Sequence, residues 1–230
     1  MMDNFTASFY QNFIEDDRWK YITDGLFNTL RITFFAVLIG IFLGFLIAVV
    51  RSTYDKTHKL GVLNALCKVY LTVIRGTPVL VQLLIFYFVV FGSVKIDKTL
   101  VAVIVFGINS GAYVAEIFRS GIMSVDKGQT EAGRSLGLNS AQTMRLIIIP
   151  QAFKNVLPAL INEMIVLLKE TAIIGYIGTI DITKAATLVQ SRTYDALVPL
   201  LSAAIFYLIL VMILTYFMGK LERRLRKSDH

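Results

Sequence analysis

Polar side chains interrupt an apolar segment of the chain at positions that share one helical face. Asn109, Tyr113 and Glu116 are spaced by four and three residues, so on a helix their side chains point the same way. Amide, phenol and carboxylate groups are costly at membrane depth, and they tend to face a cavity or a protein neighbour. Two interpretations stay open: these side chains line a path for a polar solute, or they make hydrogen bonds between neighbouring helices.

A second polar stripe lies in a later apolar segment and contains Asn155, Asn162 and Glu163. Glu163 is the acid placed deepest in an apolar segment, and its carboxylate is the best candidate to meet an ammonium or guanidinium group. Gln82, in an earlier segment, is expected to reach the same cavity. A structural hydrogen bond or ion pair is the alternative role for each of them.

The sequence offers little for catalysis or metal binding. Cys67 is the single cysteine, so no intrachain disulfide is possible, and its neighbours have no metal-ligand spacing, which predicts a packing role. The two histidines, His58 and His230, fall in a loop and at the C-terminus. A histidine-based triad or zinc site is therefore not expected, and we assign no catalytic or metal-binding residue.

The composition is that of a membrane protein with several spans. Hydrophobic residues make up 56% of the 230 residues, and several apolar runs are long enough to cross a bilayer. The formal net charge of +7 is more typical of basic cytoplasmic loops than of nucleic-acid binding in such a chain. We predict five transmembrane helices in one transmembrane domain covering residues 1–230, with spans at about 26–50, 77–93, 99–118, 151–168 and 197–218.

The basic residues predict which side of the membrane each end faces. With an odd number of spans the termini lie on opposite sides, and most of the 23 basic residues fall on the inner side if the N-terminus is outside. The C-terminus and the polar loop 119–150 are then cytoplasmic. In the first span, Gly40 and Gly44 form a G-x-x-x-G pair, which permits another helix to approach closely or simply fits local packing.

The loop contains signals for two short helices. Thr130 is expected to cap the first helix, and Gly137 suits the left-handed position that ends it. Asn139 is expected to cap the second helix, with Gln142 three residues later as in a capping box. Pro150 falls where this helix meets the fourth span. The pattern predicts a compact helix–turn–helix, with an amphipathic surface helix that merely closes the loop as the alternative.

The same loop resembles the EAA loop of ATP-binding cassette (ABC) importer permeases. That pattern has Glu-Ala-Ala, three residues, Gly, nine residues and Ile-x-Leu-Pro; here Glu131, Ala132, Gly133, Gly137 and the run 147–150 stand in its register. Gly133 replaces the third alanine, and an isoleucine replaces the leucine. Three longer stretches, 75–82, 113–137 and 147–171, are similar to the polar amino acid branch of this family, and the resemblance covers about residues 20–220.

The resemblance implies an all-α integral membrane chain with the type I ABC importer permease fold. It implies that Glu131, Ala132, Gly133 and Gly137 dock on a separate ATPase, and we add Arg134 as an interface charge or a solvated loop residue. ATP and Mg²⁺ would bind to that partner, because the sequence contains no G-x-x-x-x-G-K-[ST] motif. The chain itself is expected to bind no cofactor and to be no enzyme.

The family also implies the other partners of the chain: a second permease subunit, identical or paralogous, an extracytoplasmic solute-binding protein, a polar amino acid substrate and membrane lipid. The expected location is the bacterial plasma membrane, crossed several times. An ATPase-independent channel or secondary carrier is the alternative function, and it would not need a capped, rigid cytoplasmic helix.

Overall fold

The computed structural model describes residues 2–226, without the side chains of residues 2–5, 56, 225 and 226. His230 lies outside the described residues. Every regular element in the described part is helical. The α-helices are α1 (Met2–Phe9), α2 (Trp19–Thr57), α3 (Gly61–Gly76), α4 (Val79–Ile85), α5 (Lys98–Met123), α6 (Lys127–Ser135), α7 (Ser140–Thr143), α8 (Ile149–Glu170), α9 (Ile182–Thr193) and α10 (Leu197–Arg226).

Short π- and 3₁₀-helical segments join several of these helices. The π-helical segments are Tyr10–Ile14, Phe86–Val90 and Met144–Ile148, and the 3₁₀ segments are Glu15–Asp17 and Thr171–Ile177. Pro78 precedes the first residue of α4, where the missing N–H costs little.

Length and apolar composition identify three helices in the described residues that are able to cross a membrane: Trp19–Asp55, Lys98–Met123 and Leu197–Arg224. A fourth candidate exists if Gly61–Gly76 and Val79–Val90 are taken together as one interrupted span. An all-helical chain with several spans is thus confirmed, whereas the predicted count of five is not. Helix α8 carries Lys154 and Glu163 within the stretch predicted as the fourth span.

The described residues form two compact units. The first comprises residues 2–38, 77–107 and 164–214, and the second comprises residues 39–76, 108–163 and 215–226. Helices α2, α5, α8 and α10 each contribute residues to both.

The first unit contains a buried cap at the start of α9. The Asp181 carboxylate accepts from the backbone N–H groups of Thr183 (2.8 Å) and Lys184 (3.1 Å), and Tyr207 donates to it (3.2 Å). Gly25 of α2 lies against this cap, since a Cβ atom there would stand 2.5 Å from the Asp181 carbonyl oxygen. The start of α9 is therefore fixed against α2.

The second unit is built around a close approach of α2 to α5. A Cβ atom at Gly40 would lie 2.8 Å from Ser110 Oγ, and one at Gly44 would lie 2.6 Å from Val114 Cγ1. Both distances are shorter than a van der Waals contact, so the two glycines permit the helices to touch through their backbones. Of the two roles left open for the G-x-x-x-G pair, the structure shows the close helix approach.

Helix α3 packs on the same unit. Leu71 and Ile74 form a buried cluster with Ala112 and Ala115 of α5. The Tyr70 hydroxyl donates to the Ile108 carbonyl. Cys67 is buried in α3, in agreement with the packing role predicted for it.

Candidate functional site

The loop between α5 and α8 lies wholly in the second of the two compact units. Its residues 126–149 form two short helices and a π-helical segment, which we together call the coupling unit. Helix α6 begins at Lys127, and the Asp126 carboxylate caps it by accepting from the Gly128 N–H at 2.6 Å. The prediction that Thr130 caps this helix is wrong, because Thr130 is the fourth residue of α6. Aspartate is the stronger N-cap of the two and stands four residues earlier.

The end of α6 follows the prediction for Gly137. This glycine has φ +82°, and its N–H donates to the Arg134 carbonyl at 3.0 Å. The next N–H, of Leu138, donates to the Gly133 carbonyl at 3.1 Å. The two bonds are those of a Schellman motif, which satisfies the last carbonyls of a helix and reverses the chain.

The second cap of the coupling unit is also confirmed. Asn139 Oδ1 accepts from the Gln142 N–H, and Gln142 Oε1 accepts from the Asn139 N–H, both at 2.9 Å. This is a complete capping box at the start of α7. Pro150 is the second residue of α8, at the junction the sequence indicates.

Gly133 is buried inside the coupling unit. A Cβ atom there would lie 2.8 Å from Thr143 Cγ2 and 2.9 Å from Ile147 Cδ1. Thr143 is fixed in turn, since its hydroxyl donates to the Asn139 carbonyl at 3.0 Å. Glycine at this position therefore lets α6 pack directly on the segment after it.

The opposite face of α6 is exposed. Glu131, Ala132 and Arg134 are all exposed to solvent, with Leu136 79% exposed at the end of the helix. Leu136 is absent from the set of residues predicted from sequence, although a large apolar residue inside a polar loop is a usable signal. The coupling unit thus presents mixed charge and apolar surface on a rigid helix.

The coupling unit is tied to the helices around it. Gln151 of α8 donates to Gln129 Oε1 in the coupling unit at 3.2 Å. Just before the unit, Ser124 Oγ accepts from Asn155 of α8 at 2.8 Å. A unit held by caps, by packing at Gly133 and by the bond to Gln151 can transmit a displacement of its outer face without unfolding.

The two helices that carry the predicted polar stripes are joined by one hydrogen bond at Glu163. Ser110 Oγ of α5 donates to Glu163 Oε1 of α8 at 2.9 Å, and Glu163 is half-buried. Ser110 is a contact that the sequence pattern did not single out, because nothing local reveals which residue of α5 faces Glu163. Asn109, its neighbour, is buried.

The remaining residues of the α5 stripe contact basic groups. The Tyr113 ring lies 5.6 Å from the Arg75 guanidinium, within reach of a cation–π contact. Glu116 accepts from Arg119 Nε at both carboxylate oxygens, at 3.1 and 3.0 Å. Glu116 and Arg119 both belong to α5, so this ion pair is not a bond between neighbouring helices.

Two predicted residues do not join this cluster. Asn162 is exposed on α8, next to Glu163 but on another face. Gln82 belongs to the first unit, where it is buried and donates to the Thr77 carbonyl at 3.0 Å and to Thr77 Oγ1 at 2.8 Å. Among the described residues no group of three or more His, Cys, Asp or Glu side chains is placed to hold a metal ion.

The sequence from residue 26 to residue 227 matches the model of the binding-protein-dependent transport system inner membrane components. The chain belongs to this family. Family membership agrees with a helical chain that crosses the inner membrane and carries a structured polar loop.

Members of this family with close sequences support the assignment. The chain is 39% identical over 212 residues to the arginine transport system permease protein ArtQ of Bacillus subtilis, covering 91% of this chain and 94% of that protein. It is 35% identical over 208 residues to the glutamine transport system permease protein GlnP of Escherichia coli K12, covering 89% and 93%. A crystal structure of an amino acid ABC transporter with histidines matches with 43% identity and a TM-score of 0.82, covering 89% of this chain and 94% of that one.

Proposed function

We propose that this inner membrane component is the permease subunit of an ATP-driven importer for polar amino acids. The observation that carries the proposal is the coupling unit, a capped and internally packed helix pair with an exposed, mixed-charge outer face. A channel or carrier that works without an ATPase has no need of such a unit. The similar proteins named for arginine and glutamine transport support the substrate class.

The outer face of α6 is the proposed docking surface for the ATPase. Glu131, Ala132 and Arg134 would contact the partner, and Gly133 and Gly137 would keep the helix closed behind them. ATP and Mg²⁺ bind to the partner and not to this chain, whose sequence has no P-loop motif. A rigid helix converts closure of the ATPases into movement of α5 and α8, the helices on either side of the coupling unit.

Co-expression with the ATPase tests the docking surface. Glu131→Lys reverses an exposed charge on the outer face, and we expect it to reduce both co-purified ATPase and ATP-dependent uptake of arginine or glutamine. Asp24→Lys is the matched control, since Asp24 is an exposed acid on α2 outside the coupling unit. Uptake that persists in full without any bound ATPase would identify an ATPase-independent carrier and end the importer proposal.

We place the chain in the bacterial plasma membrane as one permease domain with five spans, the N-terminus outside and the C-terminus inside. The distribution of basic residues supports this orientation. Helix α8 is then the fourth span in spite of its polar residues, because it faces protein or a solute path rather than lipid. The coupling unit lies on the cytoplasmic side.

The proposed path runs along the polar stripes of α5 and α8, with Asn109, Tyr113, Glu116, Asn162 and Gln82 as candidate lining residues. Glu163, held by Ser110, is the candidate for the cationic group of the substrate. Glu163→Gln keeps the hydrogen bond and removes the charge, so we expect a weaker preference for arginine over glutamine in competition uptake. An unchanged preference would remove Glu163 from substrate recognition.

The proposal also requires partners on both sides of the membrane. A second permease subunit, identical or paralogous, would complete the path, and an extracytoplasmic solute-binding protein would deliver the amino acid.

A further inference from the structure

The second unit contains an open recess of about 690 Å³, which shares only Tyr113 with the residues proposed to line the transport path. Three cationic side chains line it: Arg51 of α2, and Lys68 and Arg75 of α3. Thr72 and the Tyr113 ring complete the polar part of the wall, with Leu71 beneath. The Arg75 guanidinium also contacts the Tyr113 ring, at 5.6 Å.

The cations of the recess outnumber the acids near them. Glu116 is the one acidic residue of α5, and both its carboxylate oxygens already accept from Arg119. Asp55, one turn beyond Arg51, is exposed. Among the described residues, the ion pairs within 4 Å involve Arg18, Lys20 and Arg119, and none includes Arg51, Lys68 or Arg75. Three cations thus share one nearby carboxylate, which already pairs with Arg119, so the recess keeps an excess of positive charge.

Helix α3 places this charge beside an apolar surface. Lys68, Thr72 and Arg75 are spaced by four and three residues and form one face. A different face consists of Val62, Leu66, Val69 and Val73, which are 80%, 60%, 61% and 52% exposed. A helix with an exposed apolar stripe and a basic stripe side by side is suited to the boundary between headgroups and acyl chains.

The position of Arg51 indicates where the recess lies relative to the membrane surface. Arg51 follows directly on the apolar run 26–50 of the first span, so it marks the end of the hydrocarbon-crossing part of α2. Ile47, one turn before it, packs against the buried cluster of Leu71, Ile74, Ala112 and Ala115. Arg51 thus lies near the edge of the bilayer, within reach of the headgroup layer.

We propose that this recess binds the phosphate of an anionic phospholipid, with the acyl chains against the exposed apolar stripe of α3. Guanidinium groups pair with phosphate through two parallel hydrogen bonds, and basic recesses between helices at the cytoplasmic surface attract anionic headgroups. The apolar stripe favours a lipid over a free anion, because a free anion makes no use of it. The site depends on membrane insertion only and not on the transported amino acid.

The test counts lipids retained by the purified full-length chain. Exchanged into mixed micelles of phosphatidylglycerol and phosphatidylcholine, the wild type should retain phosphatidylglycerol selectively by native mass spectrometry. Arg51→Gln and Lys68→Gln should each lower that retention about fivefold, the effect of one surface charge on anionic-lipid binding. Lys68→Arg keeps the charge and should retain the lipid.

Lys59→Gln is the matched control, since Lys59 is an exposed lysine in the short loop before α3 and does not line the recess. It should leave retention close to that of the wild type. An equal loss in Lys59→Gln would show general surface charge and overturn the proposal. Displacement of the lipid by equimolar inorganic phosphate would assign the recess to a small anion instead, and displacement by equimolar glutamine would assign it to the transported amino acid. Equal retention of both lipids would show no selectivity for the anionic headgroup and would also overturn the proposal.

Discussion

Gly133 is the residue at which this chain departs from the Glu-Ala-Ala pattern, and its surroundings supply a reason. The space that an alanine methyl would need is occupied by Thr143 Cγ2 and Ile147 Cδ1. Glycine costs about 1 kcal/mol in a helix relative to alanine, whereas a methyl forced into a packed site costs about 1–3 kcal/mol. Close packing of α6 on the following segment is therefore the stronger effect at this position.

Gly133→Ala should destabilise the coupling unit by up to about 2 kcal/mol, the packing cost less the helix gain, and should reduce co-purified ATPase. Thr143→Ser removes the Cγ2 methyl and keeps the hydroxyl that bonds to Asn139. The double variant Gly133→Ala/Thr143→Ser should therefore recover both the stability and the yield of bound ATPase. Thermal unfolding of the purified permease and the yield of bound ATPase measure this. A single Gly133→Ala variant as stable as the wild type would show that the side chains at 143 and 147 move aside freely.

Substitutions at Gly137 test the effect of backbone conformation and not that of side-chain packing. No atom lies within 4 Å of a Cβ atom built at this position, but φ is +82°. Gly137→Ala should cost about 1–2 kcal/mol through backbone strain alone, and Gly137→Asn should cost less, because asparagine tolerates this conformation. Gly219→Ala in α10 is the matched control, because Gly219 has the same open surroundings and no positive φ. Its unfolding temperature should be unchanged or slightly higher than that of the wild type. Equal effects at 137 and 219 would contradict the assigned role of the turn.

At the scale of elements, local signals were predictable and distant contacts were not. The capping box of Asn139 and Gln142 and the turn at Gly137 depend on residues a few positions apart, and the sequence predicts both. The Thr130 cap was wrong because a stronger cap, Asp126, stands four residues earlier in the same loop. The partner of Glu163 depends on how α5 meets α8, and helical spacing alone does not specify Ser110.

The approach of α2 to α5 depends on the glycine at position 44. A Cβ atom there would lie 2.6 Å from Val114 Cγ1 and 2.8 Å from the Ala115 backbone nitrogen, and backbone cannot rotate away. Gly44→Ala should therefore destabilise the purified permease by about 1–3 kcal/mol, and Gly44→Leu should prevent its assembly.

Gly61→Ala is the matched control for Gly44, because the nearest atom to its Cβ would be a Tyr54 ring carbon at an ordinary 3.7 Å. Its elution profile and melting temperature should match the wild type. A Gly44→Ala variant as stable as Gly61→Ala would mean that α2 and α5 separate without cost.

At the scale of the whole molecule, the number of spans identified by composition falls short of the five that we propose. Composition identifies three uninterrupted spans, while α8 combines Lys154 and Asn155 with Asn162 and Glu163. The break between α3 and α4 at Gly76–Pro78 divides another apolar stretch. Polar residues and helix breaks are tolerated at membrane depth only where protein or a water-filled path surrounds them. The polar residues and the helix break that lower the number of recognised spans are thus features expected of a transport path.

The membrane position of α8 decides between five spans and fewer, and two serines on either side of it provide the test. Ser140 begins α7 and Ser191 lies near the end of α9; both are exposed, and the substitution to cysteine is nearly isosteric. In a Cys67→Ser background, with the buried native thiol removed, a membrane-impermeant maleimide should label Ser191→Cys in intact cells. Ser140→Cys should be labelled only after the cells are opened, because the coupling unit faces the cytoplasm. Labelling of both positions from one side would show that α8 does not cross the membrane. Labelling with the sides exchanged would keep five spans and reverse the orientation, placing the coupling unit where no ATPase can reach it.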